Sequence, residues 1–273
     1  MCGRLSLTSR SDYRPSSQVC ALKVKGNAAI VLSSLLKRFN QPAAFSTPDP
    51  DAPICIIGDV HGCIAQLEKM LSQVPQDHRV ILVGDYVDRG EHSAEVLRLV
   101  SERSEFTCLM GNHEQMLLKF LSDPTCHGPR WLRYGGLQTL SSFGVRGVRS
   151  EMNDAELQDC RDRLEDVMCQ DMRRWLEQLP TSDFSGNVFV THAGADPNVP
   201  VDQQKEEILI WGHPSFQKSD RSDGVWVVHG HTIVDEPSAE RGRIAVDTGA
   251  FATGSLSAVC LDGSEPRFVS VGH

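Results

Sequence analysis

The chain has 273 residues, 40% hydrophobic and 23% charged, which is ordinary globular usage and enough for one large α/β domain. A formal net charge of −9 argues against nucleic-acid binding, because phosphate backbones select basic surfaces. Nine cysteines, an odd count with no CxxC pair and several members inside apolar runs, argue for free buried thiols in a reducing compartment and against a disulfide framework.

The longest early apolar stretch, Ala28 to Leu36, is interrupted by Ser33 and Ser34 and is too short to span a bilayer. Lys37-Arg38-Phe39-Asn40 follows with no small-residue cleavage site, so a short amphipathic helix is expected and not a signal peptide. A soluble cytoplasmic monomer with no membrane partner is expected. Residues 1–52 read as an N-terminal extension and linker, partly disordered over roughly the first 25 residues. Three prolines in Thr47 to Pro53 forbid a helix there.

Residues 53–273 read as one domain. Ile54-Cys55-Ile56-Ile57 is a buried strand, and Ile64, Leu67, Met70, Leu71 and Val74 have helical spacing. Val80 to Val83 is the next strand, Ser93 to Val100 a helix with Ser93 as its expected N-cap, Phe106 to Met110 a strand, and Glu114 to Leu121 a helix. This alternation implies a parallel sheet of βαβ units. Residues 123–181 read as a helical insertion. Val188 to Val190, Val225 to Val228, Ile244 to Val246 and Ser255 to Leu261 read as strands of a second, largely antiparallel half.

The first three strands each run out into glycine and then into metal-ligand types. They give Gly58-Asp59-Val60-His61-Gly62, Gly84-Asp85-Tyr86-Val87-Asp88-Arg89-Gly90 and Gly111-Asn112-His113-Glu114. Asp59, Asp85 and Asn112 are spaced for one helical crossover each, so neighbouring parallel strands deliver them to one rim, where open α/β sheets build their sites. Two later strands end in His192-Ala193-Gly194 and His229-Gly230-His231-Thr232. Mixed oxygen and imidazole donors suit Mn, Fe or Zn, and six protein ligands fit two ions ~3.5–4 Å apart better than one. Taken singly, an Asp or His at a strand end is a turn residue or a cap. Five strand ends with ligand types in one chain are not so explained. His78, His92, His127 and His273 lie in polar segments or at the chain end and receive no role. His229 and His231 both stand where a ligand is wanted.

These motifs, in this order, resemble the phosphoprotein phosphatase family of metallophosphoesterases over residues 54–262, and its bacterial-type serine/threonine branch through Trp131 to Gly136, His192 to Pro200 and Trp211 to Phe216. The resemblance implies a calcineurin-like αββα sandwich with a helical insertion. It implies two divalent metals, manganese foremost with iron or zinc as alternatives. Asp59, His61 and bridging Asp85 would hold one ion; Asp85, Asn112, His192 and His231 the other. His231 is preferred to His229 because the family uses the His of Gly-His-Thr. His113 would be the general acid oriented by Asp88, Asn112 and His113 would face the substrate, and Arg89 would bind phosphate oxygens. Phosphoprotein or phosphopeptide substrates follow, with in-line attack by a bridging hydroxide.

One departure matters. Bacterial relatives have arginine two residues after the tryptophan of this segment, whereas this chain reads Trp211-Gly212-His213-Pro214. His213, or Arg221 from a flexible loop, is expected to take over phosphate binding. Two rival functions remain. A diadenosine tetraphosphate hydrolase shares the fold, although that branch usually lacks the second Asp of the Asp-Arg-Gly motif and has Asp where this chain has Glu114. A non-enzymatic scaffold would have shed ligands, and all six are present. Activity on phosphotyrosine is the remaining variant.

Overall fold

The computed structural model describes residues 45–272. The helix expected at Ala28–Leu36 and the order of the first residues lie outside that range. Strand β1 (Ile54–Ile57) is apolar at every position and buried throughout, as a central strand covered on both faces must be. It pairs in parallel with β2 (Arg79–Leu82), which pairs in parallel with β3 (Thr107–Cys108). The crossovers are α1 (Ile64–Leu71) and α2 (Ser93–Ser101), and β3 leads into α3 (Asn112–Ser122). Ser93 lies inside α2 and not at its cap; the capping position belongs to His92, whose side chain makes no capping bond.

The insertion is helical. It comprises α4 (Pro124–Trp131), a kinked π-like turn (Leu132–Gly136), α5 (Leu137–Ser142), α6 (Asp154–Val167) and α7 (Gln170–Glu177). A second sheet then forms from β4 (Ser182–Ser185), β5 (Val188–Thr191), β6 (Trp226–His229), β7 (Ser238–Glu240) and β8 (Arg243–Ala245), in the order β4-β5-β6-β8-β7. Helix α8 (Glu206–Trp211) lies between β5 and β6. Three of these strands, β5, β6 and β8, run parallel, and only the edges are antiparallel. The expected antiparallel half is therefore corrected to a mixed sheet. The six-residue α8 is too short to leave a periodic signal, so its crossover was not legible.

After the short α9 (Ala250–Thr253), the chain returns to the first sheet. There β9 (Leu256–Leu261) pairs antiparallel with β1, and β10 (Arg267–Val271) forms the edge. Ser255 to Leu261, expected in the second half, is thus corrected to the first sheet. Alternation along β1 explains the layering. Ile54 and Ile56 face the second sheet, packing in one cluster with Val188, Val190, Val228 and Ile244. Cys55 and Ile57 face the helical layer with Leu67, Met70 and Leu97. Leu209 and Phe216 cover the outer side of the second sheet against Phe189 and Val227. This is an αββα sandwich. The segment expected as a linker is laid on the second sheet: Phe45 packs edge-on against Trp226, and Asp49 and Asp51 donate backbone N–H bonds to Asn187 and Ser185.

Candidate active site

The strand ends converge as the motifs imply. Asp59, His61, Asp85, Asn112, His113 and His192 are all buried at one rim, with His231 half-buried beside them. Asp85 is central. Its Oδ2 lies 3.4 Å from His61 Nε2 and 3.9 Å from His113 Nε2, and its Oδ1 lies 3.4 Å from His192 Nε2. Asn112 Oδ1 sits 2.9 Å from His192 Nε2 and 2.8 Å from His231 Nδ1. The donor atoms form two sets, His61–Asp85–His113 and Asp85–His192–His231, which share Asp85. Backbone carbonyls fix the imidazoles: His61 Nδ1 donates to Val87 O and His192 Nδ1 to Val83 O, leaving each Nε2 turned inward.

The electrostatics fit divalent cations. Asp59 accepts the His231 N–H at one oxygen, while its other oxygen is buried without a hydrogen-bond partner. Burial, then the nearby Asp247 and Asp85 charges, push the Asp59 carboxyl well above its usual range. Burial also acts to raise Asp85, but His192, His113 and His61 outweigh it and hold that carboxyl well below. Burial lowers His61 to about 3 and His192 to about 4, so both are neutral lone-pair donors at neutral pH. Neutral imidazoles, crowded carboxylates and an orphaned carboxylate oxygen make a donor set that metal ions satisfy.

The backbone at this rim is strained. Six described non-glycine residues adopt left-handed φ, and five are His61, Asp85, Asp88, Arg89 and His231. Such conformations persist only where surroundings enforce them, and they gather at functional sites. One enforcing group is Glu114. Its carboxylate accepts the backbone N–H groups of Asp85, Tyr86, Val87 and Gly111, pinning the Asp85 turn to the start of α3. Gly230 makes room for Asp59, since a Cβ there would lie 1.9 Å from Asp59 Oδ1.

A family model for calcineurin-like phosphoesterases matches residues 52–235. The chain belongs to this family. It is 29% identical over 219 residues to serine/threonine-protein phosphatase 2 of Escherichia coli strain K12, covering 75% of this chain and 90% of that protein. It is 27% identical over 246 residues to the asymmetrical bis(5'-nucleosyl)-tetraphosphatase PrpE of Halalkalibacterium halodurans, covering 79% of this chain and 92% of that one. Its fold is shared with a protein serine/threonine phosphatase from Saccharomyces cerevisiae at 14% identity and TM-score 0.52, over 90% of this chain and 89% of that chain. The protein is a metallophosphoesterase, and the resemblance read from the five motifs holds.

Within this phosphoesterase fold, His113 Nδ1 lies 2.6 Å from Asp88 Oδ2, and its Nε2 is buried with no hydrogen-bond partner. Asp88 also accepts from Trp131 Nε1 at 3.0 Å and from Thr139 Oγ1 at 2.7 Å, while its own N–H donates to Ser93 and Thr139. The helical insertion therefore grips the Asp88 carboxylate. Sequence reasoning noted Trp131 as part of a resembling segment but gave it, Thr139 and Glu114 no place in the site. Contacts made between residues far apart in the chain, 43 and 51 positions for Trp131 and Thr139 and 27 to 29 for Glu114, leave no local signal. Asp247 was also passed over, although it obeys the rule that found the others: β8 runs into Val246-Asp247-Thr248-Gly249. Its carboxylate accepts the Gly249 N–H at 2.8 Å.

The Arg89 guanidinium stacks on the Phe251 ring, 4.7 Å from its centroid, and Phe251 lies edge-on to His61. The turn before α5 holds the Arg89 backbone, whose N–H donates to Gly135 O. Gly135 has φ +113°, and a Cβ there would lie 2.5 Å from Arg89 N. Gly135→Ala should thus cost about 1–2 kcal/mol for its backbone conformation and displace Arg89. A raised KM for a phosphomonoester at preserved metal content is the expected result; an unchanged KM would show that this turn does not set Arg89.

The two candidates for a second phosphate contact are engaged with partners of their own. Arg221 is buried at 7% exposure, donates to the carbonyls of Asp196 and Val199, and pairs with Asp223. The arginine expected in a flexible loop instead ties that loop to the Asp196–Val199 segment, its guanidinium shared between two backbone carbonyls there and the Asp223 carboxylate. His213 Nε2 lies 3.6 Å from Asp196, and its Nδ1 accepts the Ser215 N–H. Neither has a hydrogen bond or ion pair with a residue of the metal cluster. His229 is buried against Phe216, with its Nδ1 on Gly230 O, while His231 alone of the pair faces Asn112. Among the described residues no helix is long and apolar enough to cross a membrane.

Proposed function

We propose that this metallophosphoesterase is a protein phosphatase that hydrolyses phosphoserine and phosphothreonine monoesters. The observation that supports this most is the His113–Asp88 pair. Bound divalent metals, manganese foremost with iron or zinc as alternatives, would be held by Asp59, His61, Asp85, Asn112, His192 and His231 and would supply Lewis acidity and a more acidic water. Arg89 binds phosphate oxygens through its planar donor fork, with Phe251 behind it fixing the fork's direction. Asn112 and His113 face the same space, and His113 Nε2 gives its proton to the departing seryl or threonyl oxygen. Asp88 accepts the proton of the opposite nitrogen and so favours the imidazolium of His113, the form in which Nε2 also carries a proton to give.

An alkoxide leaves poorly, so an oriented acid raises its rate. A dinucleoside polyphosphate releases a phosphate oxygen that is stable as an anion and needs no such acid. The likeness to PrpE supports dinucleoside polyphosphate as the second reading. Phosphopeptides are the partners this reading names, with neither nucleic acid nor membrane among them, and a monomer suffices because one chain supplies the whole donor set. Compared under the same metal, a phosphoseryl peptide should show a kcat/KM at least ~10-fold above that of diadenosine tetraphosphate. The reverse order would overturn the protein-phosphatase reading and favour the nucleotide.

A further inference from the structure

Cys55 on β1 stands directly opposite Cys260 on β9 in the antiparallel ladder. In the same ladder Gly58 N–H donates to Ser257 O, which makes that a hydrogen-bonded pair. Hydrogen-bonded and open pairs alternate, so Cys55–Cys260, three positions along, is an open pair. Open pairs bring the two Cα atoms to about 4.5 Å, within the span a disulfide accepts. Both side chains point to the helical layer, and the two sulfurs are in contact through a thiol hydrogen bond. Neither thiol touches the metal cluster or the Asp88 network.

We propose that Cys55 and Cys260 form a disulfide site that closes reversibly when the protein meets a hydroperoxide. The simpler reading, that buried cysteines are small apolar fillers, suits the others well. Burial pushes Cys63, Cys108 and Cys160 up to about 11, 12 and 11 respectively. Cys260 differs. The Cys55 hydrogen bond, helped by Arg267 and His78 and opposed by burial, lowers it to about 7, while Cys55 is raised chiefly by the same bond. Arg267 faces Cys260 from edge strand β10 and is itself exposed, so a single strand separates the sulfur from solvent.

The chemistry balances. The Cys260 thiolate attacks one oxygen of hydrogen peroxide; the S–O bond forms, the O–O bond breaks, and the departing hydroxide takes a proton to leave as water. The Cys55 thiol then loses its proton and attacks the sulfenic sulfur; the S–S bond forms, the S–O bond breaks, and a second water leaves. Two thiols are oxidised and one peroxide is reduced.

The full-length protein, treated with hydrogen peroxide, unfolded in iodoacetamide without reductant and digested, gives the test. A peptide joining Cys55 to Cys260, split by dithiothreitol, is expected. Cys55→Ser should abolish the link and carry Cys260 on to sulfinic or sulfonic acid. Should that variant fail to fold, the wild-type map still decides. Recovery of both cysteines as alkylated thiols, in a sample where exposed Cys126 or Cys169 has been oxidised, would overturn the proposal.

Discussion

Asp85→Asn is expected to lower turnover at least about a thousandfold, some 4 kcal/mol of transition-state stabilisation, and to lower metal content with it. Asp85 is the one group shared by both donor sets. An amide offers a single neutral oxygen where two cations would require a charged group. The substitution should nonetheless leave the fold in place. The amide oxygen can still accept the His113 N–H that Asp85 Oδ1 accepts now, and Glu114 continues to hold the turn. Metal analysis of the folded variant beside its kcat is the check; wild-type turnover would remove Asp85 from the centre of the site.

His113→Asn should separate substrates by their leaving groups. A phosphoseryl peptide needs a proton on its departing oxygen and should lose about 10²–10³ in kcat. p-Nitrophenyl phosphate releases a phenolate that leaves unaided and should lose far less. The geometry gives the reason: the imidazole is fixed by Asp88 at one nitrogen, and the other is buried without a partner. His113 Nε2 also lies 3.9 Å from Asp85, close enough to belong to a metal-holding set. Equal losses on both substrates would assign it to that second task and not to proton transfer.

What the sequence made legible follows from locality. Each ligand stands within a few residues of a strand end, so the strands and their Gly-Asp, Gly-Asn-His and Gly-His punctuation mark out the rim in the amino-acid sequence itself. The αββα layering was implied by resemblance. The mixed second sheet was not read, because α8 is only six residues long and β4 and β7 are polar strands without alternation. The supports of the site were equally hidden. Glu114 serves four backbone donors from two loops, and Trp131 and Thr139 reach Asp88 from an insertion whose sequence reads only as helix. Arg221 shows the opposite failure. A Ser-Asp-Arg-Ser-Asp-Gly run looks like a mobile loop, yet three acceptors, two of them backbone carbonyls, hold its arginine.

Asp85 belongs to both donor sets, so this rim would hold two metals. The decisive measurement is the metal-to-protein ratio after the purified enzyme has been stripped with a chelator, reloaded with manganese and freed of excess ion, read together with recovered phosphomonoesterase activity. Two manganese ions per chain are expected, with activity that returns as the second ion binds and a ratio that falls in Asp85→Asn. Full activity at one ion per chain, or without any, would contradict it.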